Sequence, residues 1–320
     1  MQQINIIFII IVIFIFSVTY LTFKRTKYLV SNKKNKFDIL KDHLLNNSSL
    51  SNKKKPILWI HVDFEKNARK WVNFSEKNTN NLNKPYLYLS TKSIIDSCSD
   101  SFQVVIIDNS TFTKLIPGWD IDFEKLSDPL KRNYIHLAKL KLLYNYGGLC
   151  VPISFFCRHD LYELYYDNCI YQGDILCGLD KDDKPLIDFI GSKKLNDNLY
   201  NIINDTQLLL SNDYTDEVWF ENKLSKIFKQ HKNCITFLDP KIIGTKDMHN
   251  KSLLIDDLFS NKQLSLCSHS NFGLYVPDRE LMSRHKFNWF VYLNPFEVLD
   301  TQTAVNHFIH QHIYNKQLYN

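Results

Sequence analysis

Few side chains in this 320-residue chain have the types and spacing that chemistry needs. His136 and Lys139 lie three apart in a run, Leu130 to Tyr146, that contains no helix breaker. On a helix that spacing puts both on one face. Once His136 is protonated they form a cationic pair able to neutralise an anion. The run ends at Gly147-Gly148, glycines that stop the helix by accepting a left-handed backbone. Carboxylates occur as Asp120-Ile121-Asp122, as the cluster Asp180, Asp182 and Asp183, and as Asp256-Asp257. The middle cluster reads as a solvated loop. Of His307, His310 and His312 only the first two share a helix face, and a metal needs at least one more ligand, so they read as surface. The seven cysteines (98, 150, 157, 169, 177, 234 and 267) are odd in number and contain no CxxC pair. They point away from a zinc cluster or disulfide framework and towards free thiols in a reducing compartment.

The elements that must position these groups follow from pattern. Ile57–Val62 reads as a buried strand, Phe64–Phe74 and Ser90–Cys98 as helices, and Phe102–Ile107 as a β-branched strand ended by Asp108-Asn109-Ser110. Asp128 as N-cap and Pro129 as first helical residue open the long helix. One strand is expected over Leu149–Phe156, a helix over Asp160–Tyr166, strands at Ile175–Leu179 and Leu186–Ile190, and helices near 195–210, 215–230, 279–292 and 301–314. Alternation of strand and helix predicts an α/β layer with a parallel sheet.

The run from His136 through Lys139, Leu142-Leu143-Tyr144-Asn145-Tyr146-Gly147-Gly148 to Pro152 and Ser154 resembles a motif of the capsular-polysaccharide-synthesis and family 32 glycosyltransferases. Pro56-Ile-Leu-Trp-Ile-His61 is similar to the family's first nucleotide-binding strand, and Val104–Asp108 to its second. The likeness covers about one third of the chain, Pro56 to Leu164. It implies a type A glycosyltransferase fold, a Rossmann-like α/β sandwich preceded by an N-terminal transmembrane helix. It also implies a substrate site at His61, Asp108, His136, Lys139, Gly147, Gly148 and Ser154. In the family an aspartate and an arginine on the helix orient the sugar, and two acids after the glycines hold a divalent metal against the donor's phosphates. Here the helix positions carry His136 and Lys139, and the metal positions carry Pro152 and Ser154. No cofactor is therefore expected at the usual site. Lys139, Arg132, Arg158 and protonated His136 are the groups left to neutralise a diphosphate directly.

Outside that region, Met1 to Phe23 has no charged residue and Ile4–Phe23 is long enough to span a bilayer. A basic start and a small-residue cleavage site, marks of a signal peptide, are missing, so residues 1–23 read as a single-pass anchor. Lys24 to Lys55 holds ten Lys or Arg against Asp38 and Asp42, a basic stalk of formal charge +8. The whole chain is +5, so the remaining domain, 56–320, carries −3 and has no electrostatic footprint for nucleic acid. One-sided charge places that domain in the cytosol. Three alanines and an abundance of Ile, Lys, Asn, Phe and Tyr match AT-rich codons, as in an AT-rich microbe or a large DNA virus. Two functions are left open: sugar transfer from a nucleotide-sugar donor to a glycan or protein acceptor, or a catalytically inactive glycosyltransferase fold that serves binding or membrane assembly.

Overall fold

The computed structural model describes residues 55–62, 84–212, 217–267 and 270–314. All lie in one compact unit that runs from Leu50 to Asn320. The expected anchor at Ile4–Phe23, the stalk and the helix at Phe64–Phe74 fall outside the described residues. Among the described residues no helix is long and apolar enough to cross a membrane.

The fold is α/β. Among the described residues its main sheet has six strands in the order β2-β1-β3-β6-β5-β7. These are β1 (Ile57–His61), β2 (Gln103–Ile107), β3 (Gly148–Val151), β5 (Ile175–Leu179), β6 (Pro185–Ser192) and β7 (Ile235–Phe237). β1 runs parallel to β2 and β3, and β5 parallel to β7, but β6 is antiparallel to both β3 and β5. The sheet is thus mixed rather than parallel. The reason is local: β5 and β6 are joined by the short turn Asp180–Lys184, and a tight hairpin permits only antiparallel pairing. A second sheet pairs β4 (Phe155–Cys157) with β8 (Gly273–Tyr275). The single strand expected over Leu149–Phe156 is therefore two. Pro152 has no N–H for a ladder, and its carbonyl accepts from Phe155 N at 3.0 Å, turning the chain out of one sheet and into the other.

Helices cover the sheet. α1 (Leu87–Cys98) and α2 (Asn109–Leu115) precede the long α3 (Asp128–Tyr146); α4 (Tyr162–Tyr165), α5 (Asp197–Ser211) and α6 (Glu217–Gln230) follow it. α3 begins one residue earlier than expected, with Ser127 as N-cap, Asp128 as first helical residue and Pro129 as second. It packs on β6 to one side and on α5 and α6 to the other, which is why it is buried all round from Ile135 to Leu140. The tail adds α7 (Ile255–Leu258), α8 (Asp278–Ser283), α9 (Pro295–Leu299) and α10 (Ala304–Ile309). The expected helix near 279–292 is broken after Ser283 and resumes as a 3-10 turn at Asn288–Tyr292. These short pieces enclose a satellite core with α1 and β4 that includes Tyr86, Phe156, Leu274, Phe290 and Phe308.

The join between α3 and β3 has no loop. Gly147 takes φ 71° and ψ −171°, an extended conformation at positive φ that is essentially glycine's alone. The chain therefore leaves the helix straight into the strand, rather than through the left-handed cap the sequence implied. Gly148 has φ 104°, and a Cβ built on it would lie 2.1 Å from the Ile57 carbonyl oxygen. Trp59 Nε1 closes the corner by donating to the Gly147 carbonyl at 2.9 Å. Gly148→Ala should thus cost about 3 kcal/mol or more, the upper range for overpacking. Gly118→Ala, at φ 69° with nothing within 4 Å, should cost only about 1 kcal/mol from the backbone alone. Chemical denaturation of the two variants checks this; equal midpoints would refute the steric account of the junction.

Candidate functional site

Beyond the carboxyl ends of β1 and β3 the strand order reverses: β2 lies to one side of β1 and β3 to the other. Open α/β sheets bind ligands at such a switch point. The Pro152–Phe155 turn lies at this edge. It is held by Ser90 of α1, which donates to the Ile153 carbonyl at 2.6 Å, and by Val276 N on the Ser154 carbonyl at 3.3 Å. Ser154 itself is 1% exposed. Extending the β3–β6 register from Cys150↔Ile190 by two residues sets Asp188 level with Pro152.

A cleft of about 230 Å³ opens here, one strand over from the switch point. Its walls are α3 (His136), the β5–β6 hairpin (Asp180 to Asp188), α6 (Glu221, Leu224, Ser225) and the segment from Tyr275 to Glu280. At its base Lys139 Nζ donates to Asp188 Oδ1 in an ion pair that ties α3 to β6. The Lys139 side chain is 9% exposed and that of Asp188 27%, so the carboxylate is the partner that opens towards solvent. Burial by itself would raise the Asp188 carboxyl; Lys139, then His136 and Arg279, outweigh it and hold the group well below the ordinary carboxylate range. Around the pair, burial pushes the Cys150 thiol up to about 12, which keeps it protonated and inert. Burial, with Asp188 and Asp278 nearby, raises the Tyr275 phenol well above its usual value.

Of the residues singled out in the sequence, His136 lines this cleft, and Lys139 reaches it through its ion pair with Asp188. His61 and Asp108 do not line it. Asp108 caps α2: its carboxylate accepts from Thr111 N at 2.9 Å, from the Thr111 hydroxyl at 2.6 Å and from the Ser110 hydroxyl at 2.8 Å. Burial pushes that carboxyl up, but these hydrogen bonds and His61 bring it below its ordinary value. His61 stacks on Phe112 and lies 2.9 Å from Asn109 Oδ1, which makes Nε2 the donor. Gly147 and Gly148 face backbone, of Lys194 and of Ile57 respectively, and present no open space to a ligand.

The remaining clusters serve structure. Asp122 caps a 3-10 turn by accepting from Glu124 N at 3.0 Å and pairs with Lys125 at 3.1 Å. Asp180 accepts from Asp182 N and Lys184 N, both at 2.8 Å, and so shapes the hairpin; Asp183 pairs with Lys246. Asp257 accepts from Leu254 N at 3.1 Å, Asp256 lies 3.5 Å from Arg284, and His310 Nε2 contacts the Leu299 carbonyl at 3.0 Å. Among the described residues no three His, Cys, Asp or Glu side chains are grouped to hold a metal. At the positions where the resemblance would put metal ligands, Pro152 offers no side-chain donor and Ser154 is a buried hydroxyl.

Asp188, Tyr275 and Arg279 were missed in the sequence. Asp188 had a signal: it interrupts the apolar run Leu186-Ile187-Asp188-Phe189-Ile190, and a carboxylate inside a strand demands a partner. The chain matches no protein-family model, no curated protein and no solved structure.

The ion pair has a pH signature. A carboxyl whose folded value is depressed adds stability that is complete above its ordinary value, about 4, and that is lost as pH falls towards the folded value. Asp188→Asn should cost about 2–3 kcal/mol at pH 7, below the usual range for a broken buried pair because Asp188 keeps some exposure. The gap to wild type should shrink as pH drops from about 4 to 2. The double variant Lys139→Met/Asp188→Leu should regain most of the loss, since no lone charge is left buried. Denaturant midpoints across pH test both; a pH-independent gap would refute the pairing.

Proposed function

We propose that the chain is a glycosyltransferase-like protein that binds a glycan at the α3–β6 cleft and does not transfer sugar by the family's metal route. One observation carries this reading. Lys139, at the position where the family's sugar-orienting arginine falls, is spent on Asp188, and the first metal position is a proline that shapes a turn. The charge of the cleft supports the same view. Five carboxylates line it (Asp180, Asp188, Glu221, Asp278 and Glu280) against Lys181, Lys184 and Arg279. A pyrophosphate would meet an excess of negative charge there, whereas uncharged hydroxyls can hydrogen-bond to carboxylates and cations alike. In this reading the type A fold is retained as a scaffold. The apolar run and basic stalk tether the domain to the cytosolic face of a membrane, where a binding or assembly role fits a microbial or viral source.

The transfer reading keeps one observation in its favour. Asp188 stays ionised, its Oδ2 accepts no hydrogen bond from the described residues, and it shares the cleft with His136 and Tyr275. A metal-independent site could use such a carboxylate as a base.

Calorimetry on the detergent-solubilised full chain separates the two. Uridine and guanosine diphosphates should bind no more tightly than about 1 mM, with manganese or with chelator, while a neutral oligosaccharide from a glycan panel should bind measurably and lose affinity in Tyr275→Ala. Manganese-dependent binding of a nucleotide sugar, or its hydrolysis by wild type but not by Asp188→Asn, would overturn the binding reading.

A further inference from the structure

Two of the seven cysteines touch. Cys98, the last residue of α1, and Cys157, the last of β4, lie with their sulfurs 3.8 Å apart, and both are at most 1% exposed. The backbones that carry them are fastened together on either side. Before Cys98, Ser93 Oγ accepts from Cys157 N at 2.9 Å. Beyond it, Ser101 Oγ donates to Asp160 Oδ1 at 2.7 Å. The thiols are therefore held opposite one another by groups other than themselves. A disulfide needs the sulfurs at about 2.0 Å, so about 1.8 Å must be closed, a movement within reach of side-chain rotation and small backbone shifts.

We infer that Cys98 and Cys157 form an oxidisable dithiol that closes to an intrachain disulfide when the chain meets a low-molecular-weight disulfide such as glutathione disulfide. The chemistry is ordinary exchange. The thiolate of one cysteine attacks a glutathione sulfur, forming a mixed disulfide and releasing one glutathione thiolate. The second cysteine, as thiolate, then attacks the protein-side sulfur and releases the other. Two cysteine protons leave, two glutathione thiols form, and one S–S bond replaces another. Burial raises the Cys157 thiol well above its usual value, which makes the reduced pair slow to react once folded and favours exchange during folding or local opening of α1.

The crosslink would join residues 59 apart and enclose β2, α2, α3 and β3. It would also lock α1, whose Ser90 holds the Pro152–Phe155 turn at the edge of the candidate site. Because disulfides persist only in oxidising compartments, the state of this pair reports which side of the membrane the domain occupies. In the cytosol it stays a dithiol, as the charge of the stalk implies.

The test refolds the full chain in detergent at graded ratios of reduced to oxidised glutathione, alkylates it in denaturant, and maps peptides by mass spectrometry. The expected result is a crosslinked peptide pair containing Cys98 and Cys157, with the other five cysteines alkylated, and a melting temperature that rises with crosslinking and falls again on reduction. In Cys98→Ser, Cys157 should become alkylatable with no new crosslink; Cys157→Ser should mirror it. Should both variants fail to fold, the wild-type map decides alone. Full alkylation of both thiols at the most oxidising ratio, a glutathione adduct that never closes, or a crosslink to another cysteine would each overturn the inference.

Discussion

The carbonyl oxygen of Ile57 occupies the place where a side chain on Gly148 would begin, 2.1 Å from the Cβ position. That contact fixes how closely β3 lies against β1, and with the helix running into the strand without a loop it also fixes α3. A helix rises about 1.5 Å per residue, so Lys139, eight residues before Gly147, has a set distance from the sheet's edge and a set angle around the helix axis. Two side chains complete the corner: the Trp59 indole of β1 donates to the Gly147 carbonyl, and the Tyr146 hydroxyl to the Leu115 carbonyl. The geometry of the cleft depends on this corner, because it aims His136 and Lys139 at β6.

Once aimed there, Lys139 has one acceptable state. A buried ammonium without a partner is costly, and Asp188 supplies the partner from the neighbouring strand. Such a pair adds little stability over two well-packed apolar groups. Its physical effect is positional and electrostatic: it joins helix to sheet and keeps a carboxylate of the cleft ionised at any physiological pH. The cationic face that the helix spacing advertised is thereby consumed inside the protein, and what the cleft offers a ligand is mainly acceptor oxygens, together with Tyr275 and Arg279.

Much of the fold was legible because it rests on local pattern. Apolar runs marked β1 and β2, the Pro and Gly boundaries marked α3, and the two glycines marked a backbone that no other residue could follow. What was not legible depended on distant contacts. Pro152 splits an apparently continuous strand because each half finds a different sheet, and β8, which receives the second half, lies more than a hundred residues downstream. The antiparallel setting of β6 follows from a five-residue turn organised by Asp180, a residue whose sequence context reads simply as polar loop. The site shows the same division. Helix spacing picked out His136, which lines the cleft, and Lys139, which pairs with Asp188; Asp108, picked out at a strand end, caps α2, and a carboxylate there has the same sequence signature whether it caps or binds. Tyr275 and Arg279 come from the tail, where nothing local announces them.

The claim on which this account turns is that Lys139 is committed to Asp188 rather than to a ligand. The most direct measurement follows the Asp188 carboxyl carbon by nuclear magnetic resonance as pH is lowered, in protein labelled at aspartate and assigned with Asp188→Asn. The expected result is a resonance that stays at its ionised position through the range near 4 where ordinary carboxyls titrate and moves only at lower pH, with Lys139→Met returning it towards the ordinary range or above it. A resonance that titrates near 4 in wild type and is unmoved by Lys139→Met would contradict the account and free Lys139 for an anionic ligand.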